Sequence, residues 1–503
     1  MRGKKRKPLR IGVIAAAGKG TRAYPRTTYI PKPLFRFGEK SLLERNAEIL
    51  FKSLGVKKLY IIVGHLGEQV QEEAERIRRK YKNLAVETSP WTRTGLAGDI
   101  AVLRDRIDED FAVILGDEFY HKTRHDRLLQ SWKSHPDAEG LIAVWKSDLI
   151  SNIRKNYSVE LDGERIRCLI EKPEAPPNNL AGLGTYIFSS SFFDFFDSTP
   201  PSRKSGVVEL TDVIDRMARE TSSVYAKEVG GRYFNINSLA DYYASYYELR
   251  NENFKSYKIS LIIPALNNAQ TLSDVISDYR SRVDEIIVVD LGSSDDTVKI
   301  ALSLKAKVIR HEFDSRYGPY NARAVYEAMR EARGDILVLT LADGSFRAHD
   351  MPKLLEYLKD CDMAVGTRTT RQMIEQGSNL KPLYRWLNVF FGKLVEVMWW
   401  GQEPRFTDIG CVYRALWKDS FLKMSRDIRA RDKTFSLELM IESLRYHMRC
   451  IEIPVSFNQR YGYVEDERLG KRWRYFFSVL SMIFTRRLFS SDRADPSEGA
   501  GST

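Results

Sequence analysis

Residues 11–35 read IGVIAAAGKGTRAYPRTTYIPKPLF. An apolar run bounded by glycine predicts a buried strand that ends in a tight turn. Gly18 and Gly20 let the backbone approach an anion closely, and the successive N–H groups of Ala17, Gly18, Lys19, Gly20 and Thr21 can line it. Lys19 and Arg22 add positive charge at the same place. No Gly-Lys-[Ser/Thr] opens a following helix, so the Walker arrangement is excluded. A strand running into a phosphate-binding turn is the opening of a parallel α/β unit.

Outward from this stretch, apolar runs alternate with helical patterns twice over. The first cycle predicts strands at residues 10–15, 58–63 and 111–115. The second predicts strands at 258–263, 285–289, 307–310, 335–339 and 362–365. Residues 239–257 read as a closing helix and a connector, which places a boundary near residue 255. The organisation is therefore a basic arm (1–9), a first domain (10–255), a second domain (256–489) and a tail of disordered composition (490–503). The fold class is α/β, as two Rossmann-like domains in tandem. The basic residues before the apolar run imitate a secretory leader, but the run is short and flows directly into the glycine turn.

Hydrophobic residues at 43% and charged residues at 29% place the chain among globular proteins. The 79 Lys+Arg against 67 Asp+Glu give a net charge of +12, which suits anionic partners. Nucleotides, sugar phosphates and an anionic membrane surface all qualify; no nucleic-acid-binding module accompanies the charge, so nucleic acid is not expected. Cys168, Cys361, Cys411 and Cys450 form no CxxC pair, and read as thiols of a reducing, cytoplasmic compartment. No window reaches the roughly 20 apolar residues of a spanning helix. Residues 471–489, KRWRYFFSVLSMIFTRRLF, read either as an interfacial helix on anionic lipid or as a helix packed on the core. Residues 386–400, WLNVFFGKLVEVMWW, read as core or as an acceptor groove.

Over residues 8–250 the chain resembles the sugar-phosphate nucleotidyltransferases. The likeness rests on Gly18, Gly20, Thr21, Arg22, Pro25 and Pro31-Lys32-Pro33-Leu34, followed in order by Gly95-Leu96-Ala97-Gly98, Leu115-Gly116-Asp117, Glu171-Lys172-Pro173, Gly182-Leu183-Gly184 and Glu209-Leu210-Thr211-Asp212. It implies that Arg22 and Lys32 hold a nucleoside triphosphate, and that Lys172, beside Glu171, holds a sugar-1-phosphate. Gly95, Gly98 and Gly184 would line the base and sugar, and Asp117 after Gly116 would carry Mg²⁺ or Mn²⁺. In such chemistry a sugar-phosphate oxygen attacks the α-phosphorus and pyrophosphate leaves, so cations must offset the developing charge. Asn235 stands where relatives often carry a second metal aspartate. The form of the glycine loop favours uridylyl or thymidylyl transfer.

Residues 258–465 resemble family-2 glycosyltransferases of GT-A fold, among them the polyprenyl-phosphate sugar synthases. Pro264 and Asn267, then Asp290, Gly292, Ser293, Ser294, Asp296 and Thr297, carry the nucleotide-binding resemblance. Leu341-Ala342-Asp343-Gly344 stands for a D-A-D-G metal element and keeps only its second aspartate, Asp343. Gly366-Thr367-Arg368 and Thr407-Asp408 through Arg414-Ala415 follow, with Arg460-Tyr461-Gly462 closing the likeness. It implies Asp408 near the acceptor as base or electrostatic positioner, Arg414 and Arg460 facing acceptor or donor phosphates, and Arg368 among the substrate-binding residues.

Together the two likenesses imply a bifunctional enzyme. The first domain makes an NDP-sugar, and the second transfers the sugar with inversion to an acceptor, for which a polyprenyl phosphate at the inner membrane face is favoured. A soluble acceptor, or one domain acting only as a nucleotide-sugar-binding module, remains the alternative.

Overall fold

The computed structural model describes residues 6–24, 26–38, 40–203, 205–314, 316, 321–370, 382–402, 404–458 and 469–488. The chain forms two compact units, Met1–Tyr246 and Tyr247–Thr503.

The first unit holds β1 (Ile11–Ala16), β2 (Arg36–Phe37), β3 (Lys40–Ser41), β4 (Lys58–Val63), β5 (Ala85–Pro90), β6 (Phe111–Leu115) and β7 (Glu118–His121). It continues with β8 (Gly140–Lys146), β9 (Tyr157–Asp162), β10 (Arg165–Glu171), β11 (Leu180–Phe188), β12 (Val224–Glu228) and β13 (Arg232–Asn235). Nine of these strands make one sheet in the order β5-β4-β1-β6-β11-β8-β12-β10-β9. β1 pairs in parallel with β4 on one side and β6 on the other. Val13 joins the core on one face of the sheet and Ile14 the core on the other, both fully buried, which is why the run is continuously apolar rather than alternating. Burying each such side chain contributes about 1.5–3 kcal/mol. Chain order reverses about β1, so a crevice opens at the carboxyl ends of β1 and β6, where ligands bind in open α/β sheets.

The second unit contains β14 (Ile259–Ala265), β15 (Glu285–Asp290), β16 (Lys307–Arg310), β17 (Ile336–Leu339), β18 (Met363–Thr367), β19 (Arg414–Trp417) and β20 (Cys450–Pro454). Their order is β16-β15-β14-β17-β19-β18-β20, with β19 antiparallel between β17 and β18. The order again reverses at β14, flanked by β15 and β17 in parallel.

The closing helix appears as Leu239–Asn251, but the division between units falls within it. From Tyr247 on the helix belongs to the second unit, where the Tyr247 hydroxyl donates to Asp362 Oδ2 at 2.7 Å and Arg250 to Asp419 at 2.8 Å. All four cysteines are free thiols, and Cys361 and Cys411 are buried. Among the described residues no helix is long and apolar enough to cross a membrane.

Candidate functional site

In the first unit the loop after β1 lies open, with Gly18, Lys19, Thr21 and Arg22 exposed. Gly20 adopts φ 61°, and a Cβ there would meet Lys32 Cγ at 2.9 Å. The loop therefore closes against the aliphatic stem of Lys32, whose side chain is only 7% exposed. Lys32 Nζ lies 3.3 Å from Asp117 Oδ2. Asp117 is brought there by Gly116, whose N–H donates to the Ala15 carbonyl at 2.9 Å. Only glycine allows that approach, since a Cβ would lie 2.7 Å from the same carbonyl.

The strand pair β7–β13 completes the edge. Asn235 is the register partner of Glu118, the neighbour of Asp117. Two residues on, Asn237 Oδ1 accepts from Arg22 at 2.6 Å. Asn235 Nδ2 donates to Asn156 Oδ1 at 2.7 Å, and the Asn156 carbonyl accepts from the Lys172 N–H at 2.9 Å. The structure thus gathers Arg22, Lys32, Asp117 and Asn235 and ties the Glu171-Lys172 loop to them. Both of those loop side chains are exposed. The second glycine loop follows edge strand β5, with Gly95 opening the helix Leu96–Ala101 that contains Gly98. The carboxylate of Asp99 holds this turn by accepting from the Thr92 N–H at 2.9 Å.

Beneath the edge, Glu118 is buried and accepts from the Tyr120 hydroxyl at 3.1 Å and the Gly184 N–H at 3.4 Å. Burial first, and the neighbouring Asp117 charge second, push its carboxyl up to about 8. Asn46, fully buried, donates to the Leu115 and Glu118 carbonyls at 3.0 and 3.1 Å and so pins the turn that carries Asp117. Asn46, Glu118 and Asn156 escaped the sequence reading; each sits in no motif, and only the folded chain brings it to the edge.

In the second unit Asp290 ends β15 and is buried. Its Oδ1 accepts from the Ser293 N–H at 3.1 Å, while Ser293 Oγ accepts from the Asn267 N–H at 2.9 Å. Asn267, at φ 54°, accepts in turn from the Ser294 N–H at 2.8 Å. Gly292 lies in this turn at φ 91°, and Pro264 pairs with Val289 one position before the strand ends. Thr271 Oγ1 donates to the Ala342 carbonyl at 2.6 Å, linking the helix that follows Asn267 to the Asp343 turn. Asp343 Oδ1 accepts from the Ser345 N–H at 3.0 Å.

Arg414 and Asp408, expected at the acceptor and phosphates, both lie buried. Arg414 lies in β19 between two strands, fully buried, and donates to the carbonyls of Ser436 (3.0 Å) and Cys411. Its N–H groups serve the interior. Asp408 is 1% exposed and takes Arg368 Nε at 2.7 Å on Oδ2 and Nη2 at 2.8 Å on Oδ1. The Arg368 and Gly410 N–H groups donate to it as well, at 3.0 and 3.2 Å. Burial raises its carboxyl pKa, but Arg368 outweighs burial and holds it below the usual range. Both oxygens of the carboxylate thus already accept hydrogen bonds, which leaves it poorly placed to take an acceptor proton. Glu452, which the sequence did not single out, supports the pair by accepting from the N–H groups of Thr407 and Asp408, both at 2.7 Å. Arg460 and Pro25 lie outside the described residues.

Residues 11–251 match the sequence model of the family described as nucleotidyl transferase. Over 230 residues the chain is 30% identical to the UTP–glucose-1-phosphate uridylyltransferase AglF of Haloferax volcanii, covering 46% of this chain and 92% of that one. The chain belongs to the nucleotidyl transferase family. Its second unit matches glycosyl transferase family 2 over residues 260–417, and the protein is thus a transferase with both domains in tandem. The low-salt glycan biosynthesis nucleotidyltransferase Agl11 of the same organism is 31% identical over 225 residues, and the bifunctional protein GlmU of Methanococcus aeolicus 31% over 220. These alignments cover 44% and 42% of this chain, and 60% and 47% of those relatives.

The nucleotidyl transferase edge suits a hard divalent cation. The Asp117 carboxylate and the Asn235 amide oxygen are the oxygen donors Mg²⁺ prefers, too few to enclose it, so water and substrate phosphates would supply the rest. Among the described residues no three His, Cys, Asp or Glu side chains gather as a metal cage. The glycosyl transferase unit offers Asp343, with Leu341 at the companion position.

Proposed function

We propose that the nucleotidyl transferase unit joins UTP or dTTP to a sugar-1-phosphate, and that the glycosyl transferase unit passes the sugar, with inversion, to a polyprenyl phosphate. The convergence of Arg22, Lys32 and Asp117 on one sheet edge carries the first half. A sugar-phosphate oxygen attacks the α-phosphorus, the bond from that phosphorus to the bridging oxygen of the β-phosphate breaks, and pyrophosphate leaves with the electron pair. Lys19 and Arg22, exposed on the glycine loop, would bind the triphosphate. Lys32, buried against that loop, would hold a fixed charge at the α-phosphate, and Lys172 would bring the sugar phosphate. Mg²⁺ or Mn²⁺ on Asp117 and Asn235 would supply charge neutralisation between the phosphates.

In the second unit Asn267, Asp290 and Ser293 would hold the nucleoside of the donor, and Asp343 its diphosphate by way of the cation. A phosphate acceptor is already ionised at neutral pH, so it needs no base from Asp408. Two further features favour a lipid-borne phosphate. The helices Pro382–Met398 and Leu469–Leu488 touch through Phe391 and Phe476, with ring centroids 5.2 Å apart, and leave Trp386, Phe390, Trp473 and Phe477 exposed. Beside them a cleft of about 730 Å³ is lined by Arg429, Arg431, Arg474 and Arg486 together with Phe477 and Met482. Aromatic side chains beside arginines match the interface of an anionic bilayer. Carrying both activities on one chain raises the local concentration of the intermediate NDP-sugar.

The test incubates the full chain with an NTP panel, labelled sugar-1-phosphates and polyprenyl phosphate in vesicles. Pyrophosphate release abolished by Asp117→Asn, and solvent-extractable label abolished by Asp343→Asn, is the expected result. Label that never leaves the NDP-sugar pool overturns the second half. Label that moves only to a water-soluble acceptor overturns the lipid.

A further inference from the structure

Asn235 is a neutral side chain at a position where a carboxylate would present oxygen whichever way it turned. An amide presents oxygen on one side only, so something must fix its orientation. The hydrogen bonds behind it do so. The Asn152 carbonyl can only accept, and it takes Asn156 Nδ2 at 3.0 Å. That fixes Asn156 Oδ1 on the other side of its amide as an acceptor, and it receives Asn235 Nδ2 at 2.7 Å. The Tyr233 hydroxyl approaches the same oxygen at 3.5 Å. With its NH₂ committed inward, Asn235 directs Oδ1 away from Asn156. Asn156 is itself anchored, its N–H donating to the Ile153 carbonyl at 3.0 Å and its carbonyl accepting from Lys172 at 2.9 Å. Lys172 sits at φ 45°, a left-handed conformation that an L-residue adopts only when held.

We propose that Asn156 is a positioning residue of the nucleotidyl transferase site: it relays hydrogen-bond polarity from the Asn152 carbonyl to Asn235, so that Asn235 offers a divalent cation its oxygen. The same residue holds the Glu171-Lys172 turn, so the cation donor and the sugar-phosphate loop share one anchor. The inference rests on Asn235 being a cation donor, and it adds the residue that makes an amide serve there. Partners that orient a ligand are typically worth 10–100-fold in metal affinity. The relay also gives Asn235→Asp a definite consequence. The new carboxylate would meet Asn156 Oδ1 acceptor to acceptor, and Asn156 could answer only by turning over and leaving the Asn152 carbonyl.

The test uses the full chain carrying Asp343→Asn, which removes the second unit's carboxylate, and titrates Mn²⁺ with the free ion counted by electron paramagnetic resonance. Asn156→Leu, similar in size without an acceptor, is expected to weaken Mn²⁺ binding about tenfold. Asn156→Asp keeps the acceptor toward Asn235 and is expected to bind at least as well as the parent. In the chain with Asp343 intact, Asn156→Leu is expected to raise the Mg²⁺ activation constant and the KM for sugar-1-phosphate while kcat at saturating Mg²⁺ stays within about twofold, a split that general loosening would not produce. Thermal melting and circular dichroism report folding, and Asn156→Ala, with the same expectation, replaces any leucine variant that does not fold. If Asn235→Ala weakens Mn²⁺ binding but Asn156→Leu does not, the relay is wrong. If Asn235→Ala itself binds like the parent, the cation-donor reading fails instead.

Discussion

Arg368→Met isolates the buried pair of the glycosyl transferase unit. The guanidinium gives Asp408 bonds of 2.7 and 2.8 Å, and the two side chains are 8% and 1% exposed. Without it Asp408 keeps only the Arg368 and Gly410 N–H groups, at 3.0 and 3.2 Å. Removing one partner of a buried ion pair costs about 3–5 kcal/mol, because the other is left as an uncompensated charge. For a unit of this size each kcal/mol lowers the midpoint by roughly 2–4 °C, so the transition of the second unit is expected about 6–20 °C lower. The double variant Arg368→Met/Asp408→Leu removes both charges and is expected to recover most of the loss. Differential scanning calorimetry of the full chain reads both. Label transfer is expected to fall in the single variant while pyrophosphate release stays at the parent rate. A double variant as unstable as the single one would refute the argument, since the loss would then come from missing packing rather than from a stranded carboxylate.

Gly116→Ala places a Cβ 2.7 Å from the Ala15 carbonyl, where backbone must shift. Pyrophosphate release is expected to fall on the order of a hundredfold, while transfer from supplied NDP-sugar is unchanged. Burial raises the Glu452 carboxyl, with the nearby Asp408 charge adding to it, from 4.5 to about 7. The folded state then binds more protons between those values, so the contribution is full below pH 4.5 and is lost as pH rises through 7. Denaturant unfolding should show a loss of order 3 kcal/mol across that window, flattened in Glu452→Gln. Trp386→Ser and Trp473→Ser, at side chains 70% and 59% exposed, should each weaken binding to anionic vesicles about tenfold in flotation assays without lowering the melting point.

What the sequence made legible follows a pattern. β1, β4, β6, β14, β15 and β17 were readable because strands buried on both faces must be apolar throughout, and runs of that kind stand out between turn residues. Asp117 and Asp290 were readable because each ends such a run at the carboxyl edge, where ligands bind. Asn156 was not, because a lone asparagine in a polar stretch carries no periodic signal, and its place at the site comes from a hydrogen bond to Asn235 that only the fold creates. Arg414 misled for a related reason. Its motif marks a phosphate region, whereas the antiparallel placement of β19 between β17 and β18 turns the side chain inward, where backbone carbonyls take its N–H groups. Composition cannot separate an arginine that greets a ligand from one that closes a core.

That distinction bears on how one chain handles two phosphate reactions. In the nucleotidyl transferase unit the cations of the edge stay open: Lys19, Arg22 and Lys172 are exposed, and the Lys32–Asp117 contact at 3.3 Å is long enough to yield to a phosphate. In the glycosyl transferase unit three arginines beside the sheet are already engaged, Arg368 on Asp408, Arg445 on Glu442 and Arg414 on carbonyls, while Arg310 at the end of β16 is exposed. The first arrangement fits two highly charged substrates that must be drawn together. For the anionic acceptor proposed above, the exposed Arg429, Arg431 and Arg474 of the aromatic-flanked cleft are placed to supply attraction. On this argument Arg431→Gln should raise the KM for a phosphate acceptor while leaving the KM for the NDP-sugar alone. A rise in both would place the arginine at the donor instead.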